Sequence, residues 1–196
     1  MLVFWRERLV FLATPKTGST SIESVLASHA SIAITRPPQL KHTNAQRYQR
    51  FLAPYLGDKT GQDFPMTALM REPRDWLGSW YRYRQRPDEA RDKSTRNLSF
   101  DDFVRGYCQA AQPEFAKVGA QANFLAPNGH RPVDHIFRYE QMPVFVNFLQ
   151  DRLGTQITLP HINVSPVAKL ELTPQSDQLL HDFCARDFDI YASLPV

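Results

Sequence analysis

The sequence predicts an α/β fold, a three-layer domain in which helices flank a central, mainly parallel β-sheet. Three observations predict it. Short apolar, β-prone runs recur at Arg8–Ala13, Pro65–Met70 and Val133–Phe137, as buried strands require. Segments with helical apolar spacing separate them. The first two strands also lead straight into sequence features that start helices. At 196 residues the chain reads as one domain, 1–196, long enough to bury a substantial core.

Taken in order, Arg8–Ala13 is a buried strand, and Ser21–Ala27 is the helix it feeds. Ser31–Thr35 alternates as a short strand and stops before Arg36-Pro37-Pro38, where helix is disfavoured. Asn44–Leu52 reads as a helix with Tyr48, Phe51 and Leu52 on one side. Pro65–Met70 is a second buried strand, and Pro73 suits the first turn of a helix running to about Arg86. The polar, charged stretch Arg86–Asn97 reads as a loop or mobile flap. Ser99 then caps a helix through Tyr107. Val133–Phe137 is a strand, Gln141–Leu153 an amphipathic helix, and Ser176–Arg186 a last helix. No repeat, linker or low-complexity segment interrupts this order.

Composition narrows the function classes. The six histidines lack ligand spacing, so no metal site is indicated. Cys108 and Cys184 have no partner motif and read as buried free thiols. Arg6, Glu7 and Arg8 follow the first five apolar residues too soon for a signal-peptide core, and no apolar run reaches the ~18 residues of a membrane span. A cytoplasmic setting is the working expectation. The net charge of +3 is too small to indicate nucleic acid. Between Arg71 and Arg96, however, eight basic residues face five acidic ones, so this stretch alone matches the excess of the whole chain. Such a local cationic surface suits an anionic small ligand.

The run Thr14-Pro15-Lys16-Thr17-Gly18-Ser19-Thr20-Ser21 carries the most chemistry. A strand stops at a proline, and a lysine, a glycine and several hydroxyls precede a helix start. Outward N–H groups and the helix dipole favour an anion there, and Lys16 adds a mobile charge. It fails the pattern G-x-x-x-x-G-K-[ST], because Lys16 precedes Gly18. The order Pro-Lys-Thr-Gly-Ser-Thr instead resembles the 5′-phosphosulfate loop of sulfotransferases that use 3′-phosphoadenosine 5′-phosphosulfate (PAPS). About 55 residues on, Arg71-Glu72-Pro73 leads to Ser79-Trp80-Tyr81. An arginine at a strand end and a serine two turns into the next helix are spaced to meet one anion. The pattern R-x-P-x-x-x-x-x-S-x-Y is similar to the 3′-phosphate motif of the same family. Leu40–Ala45, Arg138-Tyr139-Glu140, His161–Ser165 and Asp187–Tyr191 resemble further segments of its carbohydrate-type and bacterial members.

The resemblance implies a P-loop-like fold and a PAPS-dependent sulfotransferase that moves a sulfuryl group to a hydroxyl or amine. It implies Lys16 at the leaving oxygen, Thr17, Gly18, Ser19 and Thr20 on the 5′-phosphate, and Arg71 and Ser79 on the 3′-phosphate, without a metal. His42 is the expected general base, since its intrinsic pKa lies near working pH; Glu23 is a second candidate. The acceptor would be a carbohydrate or small molecule, and the short chain leaves little room for a polysaccharide insertion. Two other readings stay open: a P-loop NTPase or kinase of altered motif, and a non-catalytic nucleotide-binding domain. Trp76, Trp80 and Tyr83 share a helical face and read as core, whereas Tyr81, Arg82 and Arg84 lie off it and are expected to reach the acceptor or the nucleotide.

Overall fold

The computed structural model describes residues 1–61, 63–160 and 169–195. These residues form two compact units. The first takes in the described residues of Met1–Arg71, Gln121–Ile162 and Leu194–Val196, and the second those of Glu72–Ala120 and Asn163–Ser193. Among the described residues no helix is long and apolar enough to cross a membrane.

The first unit is α/β. Its strands are β1 (Leu2–Phe4), β2 (Leu9–Leu12), β3 (Ile32–Ala33), β4 (Met66–Met70) and β5 (His135–Arg138). They form one sheet in the order β3-β1-β2-β4-β5. The sheet is mixed. β2, β4 and β5 run parallel, but β1 pairs antiparallel with both β2 and β3. The mainly parallel sheet expected from the sequence is therefore corrected. The cause is a hairpin at the N-terminus, where residues 5–8 return the chain and Arg8 takes the left-handed region at φ 48°. That turn holds no Gly, Asn or Pro to announce it.

Strand alternation buries both sheet faces. On one face Leu2, Phe4, Leu9, Phe11 and Leu69 pack with Ile22 and Leu26 of the Ser19–Leu26 helix and with Phe145 and Leu149 of the Met142–Leu153 helix. The Phe11 and Phe145 rings lie 5.8 Å apart. On the opposite face Val3, Val10, Leu12, Met66, Ala68 and Met70 are all fully buried. Each of these valines, leucines and methionines contributes roughly 1.5–3 kcal/mol, and Ala68 less.

The helix expected at Asn44–Leu52 forms differently. Asn44 caps it, its Oδ1 accepting from the Arg47 N–H at 2.9 Å. An α-turn at Ala45–Arg47 passes through a π-turn at Tyr48–Leu52 into a helix at Ala53–Thr60. Pro54 supplies the reason: a proline has no N–H for the carbonyl four residues back, and its ring crowds that carbonyl. The wider turn separates the expected apolar trio, leaving Tyr48 at 1% exposure and Phe51 at 63%.

The second unit is helical, built from Pro73–Tyr83, Phe100–Tyr107, Pro174–Phe183 and Ala185–Ser193. Trp76, Leu77, Tyr81, Phe100, Phe103, Tyr107 and Leu180 form its core. Trp76 meets Trp80, and Trp80 meets Tyr83, edge to face along the expected stripe. Ser99 and Asp102 make a reciprocal capping box. The stretch after Arg86 is irregular but pinned: fully buried Thr95 donates its hydroxyl to the Tyr81 carbonyl at 2.7 Å. Both cysteines are free, and burial pushes the thiols up, Cys108 to about 11 and Cys184 to about 12.

Candidate functional site

The parallel strands β2, β4 and β5 end at Leu12, Met70 and Arg138 with Leu12 opposite Ala68 and Met70 opposite Arg138. The segments that leave them lie at one edge of the sheet, where α/β proteins place ligands. From β2 comes the lysine loop. Lys16 sits at φ 65° and Gly18 at φ 72°, both left-handed. Glycine takes that conformation freely; a lysine there stores strain, a feature that gathers at functional sites. A Cβ on Gly18 would also meet Tyr139 Cε2 at 3.4 Å.

Gly18 precedes the Ser19–Leu26 helix, whose start no side chain caps. The Gly18 carbonyl accepts from Ser21 at 3.0 Å. The uncapped end leaves leading N–H groups without intrahelical partners. Thr17 is fully buried and spends its hydroxyl on the Thr14 carbonyl at 2.9 Å, so its N–H is what it can offer a ligand. Ser19 is 5% exposed, and the Thr20 hydroxyl accepts from Lys41 Nζ at 3.1 Å. The buried Thr14 hydroxyl has no partner among the described residues, a polar atom left over at the base of the loop.

Arg71 follows β4. Its guanidinium donates to the Lys16 carbonyl at 3.3 Å and lies 4.5 Å from the centre of the Tyr139 ring. Its backbone is clamped by the side chain of Gln121, which is 1% exposed. The Arg71 N–H donates to Oε1 at 2.9 Å, and Nε2 donates to the Arg71 carbonyl at 2.8 Å. Sequence reasoning missed Gln121, which carries no motif. Tyr139 stood in a recognised segment, Arg138-Tyr139-Glu140, but without a role.

His42 joins the same unit. Its Nδ1 lies 2.7 Å from the Ala13 carbonyl, at the end of β2. A carbonyl only accepts, so Nδ1 carries the proton and the neutral ring keeps its lone pair on Nε2. Burial lowers the His42 pKa from 6.5, outweighing the Ala13 bond that raises it. Glu23, the second base candidate, is 4% exposed and engaged by two cations: Lys41 Nζ at 2.7 Å and the Met1 amino group at 3.2 Å.

Within the first unit, then, Lys16, Gly18, Arg71 and Tyr139 come together, and His42 is bonded at the loop's base. Ser79 belongs to the second unit, 3% exposed on the Pro73–Tyr83 helix. Tyr81 and Arg84 serve that unit's interior. The Tyr81 hydroxyl donates to Leu98, and Arg84 donates to the carbonyls of Glu114 and Lys117. Arg82 pairs with Asp75 at 3.6 Å. The cationic stretch also lines a half-open hollow of about 430 Å³ with Glu89, Arg91, Ser94, Arg96 and Asn97. His161–Ser165 lies outside the described residues. Compared with known proteins, the chain matches no family model and no curated sequence. The fold is an α/β unit in which a loop with left-handed Lys16 and Gly18 leaves the carboxyl end of the first of three parallel strands.

Proposed function

We propose that the protein is a PAPS-dependent sulfotransferase of P-loop-like kinship, with Lys16, Arg71 and His42 at its working site. One observation supports this above the others: Arg71 bonds to the Lys16 carbonyl. Two anion-suited segments 55 residues apart in sequence thus share one sheet edge, as a nucleotide phosphorylated at two positions demands. A strained lysine, an uncapped helix start and a leftover buried hydroxyl fit an anion at the loop.

In the reaction, the acceptor oxygen attacks sulfur in line with the bond to the 5′-phosphate oxygen. The new S–O bond forms as that one breaks, and adenosine 3′,5′-bisphosphate leaves. Positioning and charge stabilisation dominate such transfers. Lys16 neutralises charge on the leaving oxygen, while the N–H groups of Thr17, Gly18, Ser19 and Thr20, with the Ser19 and Thr20 hydroxyls, hold the 5′-phosphate. Arg71 holds the 3′-phosphate; the pairing with Ser79 rests on sequence spacing. His42 takes the acceptor proton on Nε2, which its lowered pKa keeps free near neutral pH. The acceptor class is a carbohydrate or small-molecule hydroxyl.

An acceptor screen with sulfur-labelled PAPS tests the reading. Label should pass to an acceptor with wild-type protein and not with Lys16→Ala, which should retain much of its nucleotide affinity. Magnesium-dependent ATP hydrolysis lost in Lys16→Ala would favour the NTPase reading instead. Tight nucleotide binding with no transfer to any acceptor would favour a binding domain.

A further inference from the structure

Between Glu23 and Asp58 the chain has no acidic residue, yet it carries Arg36, Lys41, Arg47 and Arg50. Lys41 is used internally against Glu23. Arg47 and Arg50 are not: both are exposed and neither guanidinium has an ion-pair partner among the described residues. They lie on the helical run from Ala45 to Thr60 beside Phe51 and Tyr55, which are each 63% exposed, while Tyr48 and Leu56 are buried. Positions 47, 51 and 55, spaced four apart on this run, are all exposed, and the Arg50 guanidinium lies 5.2 Å from the Phe51 ring centre. π-turns such as the one at Tyr48–Leu52 are frequent at functional sites.

We propose that this face docks the protein peripherally on an anionic lipid membrane. Two neighbouring aromatic rings held in water cost free energy that burial at a headgroup boundary would recover. The two guanidiniums can reach lipid phosphates while their stems lie along the apolar boundary. From Ala45 to Gly57 the run carries no carboxylate of its own, its first being Asp58, which lessens the repulsion that an anionic surface would otherwise meet. A protein partner fits less well. Two rings of roughly 150–250 Å² each fall short of the roughly 800 Å² per side that a stable protein interface buries. A bilayer needs no matching concave surface. The docking face does not depend on the nucleotide reading and stands if that reading fails.

The test is co-sedimentation of the full chain with phosphatidylcholine vesicles, with and without phosphatidylserine, at low and high salt. Binding should require phosphatidylserine, weaken with salt and fall roughly tenfold or more in Phe51→Ser/Tyr55→Ser. Arg47→Glu/Arg50→Glu should abolish it with the melting temperature unchanged, as expected for exposed side chains. No sedimentation with phosphatidylserine vesicles would overturn the proposal. So would equal binding by the variants, or a wild-type dimer dispersed by Phe51→Ser/Tyr55→Ser without vesicle binding.

Discussion

Lys16 sits at φ 65°, where an L-residue with a side chain is strained by about 1–2 kcal/mol. A glycine would relieve that strain and add about 0.4–1 kcal/mol of unfolded-chain entropy. Lys16→Gly should therefore be more stable by about 0.5–1 kcal/mol in urea unfolding, and inactive in transfer. A less stable variant would show that the loop is not strained. For His42, burial lowers the folded pKa below its ordinary 6.5. The unfolded chain then holds the proton more readily, so the contribution of neutral His42 to stability is complete above pH 6.5 and declines as pH falls through the folded value. The acid limb of kcat/KM should likewise fall below pH 6.5 and disappear in His42→Ala; an unchanged limb would remove His42 as the base. The sequence singled out Lys16 and His42 as candidates, and their proposed roles stand as proposals. The tautomer of His42 was not, because it depends on the Ala13 carbonyl, 29 residues away in sequence.

At the scale of elements, Gln121 holds the end of β4 by mimicking a neighbouring strand, offering one acceptor and one donor to Arg71. Gln121→Ala leaves both backbone groups without a partner. It should cost about 2 kcal/mol in stability and weaken nucleotide binding beyond what that loss explains, as read by calorimetry on folded protein. In the second unit, a Cβ on Gly106 would meet the Phe115 ring at 2.7 Å. A ring yields less easily than a chain end, so Gly106→Ala should cost about 1–3 kcal/mol in urea unfolding. Ser99→Ala should cost about 1 kcal/mol there through loss of its cap. That cap was readable because its donor and acceptor are three residues apart. The Tyr48–Leu52 π-turn was not, since apolar spacing alone does not show how Pro54 redirects the turn before it. The Gln121–Leu125 helix was missed because five residues are too few to display a period.

At the scale of the whole molecule, the sequence revealed an α/β architecture through its strongest buried strands, β2 and β4. It did not reveal that the apolar residues before Trp5 form a strand, because Arg8 itself supplies the left-handed turn that a glycine would have advertised. The hairpin makes the sheet mixed but leaves β2, β4 and β5 parallel, and it is their common edge that gathers the loop, Arg71 and Tyr139. On the proposed reading this edge binds a nucleotide through two phosphates. Calorimetric titration with adenosine 3′,5′-bisphosphate, beside adenosine 5′-monophosphate, tests it most directly. The bisphosphate should bind the wild type more tightly, and Arg71→Ala should lose about 2–4 kcal/mol of that affinity. Absence of binding, or equal affinity for both nucleotides that is untouched by Arg71→Ala, would contradict it.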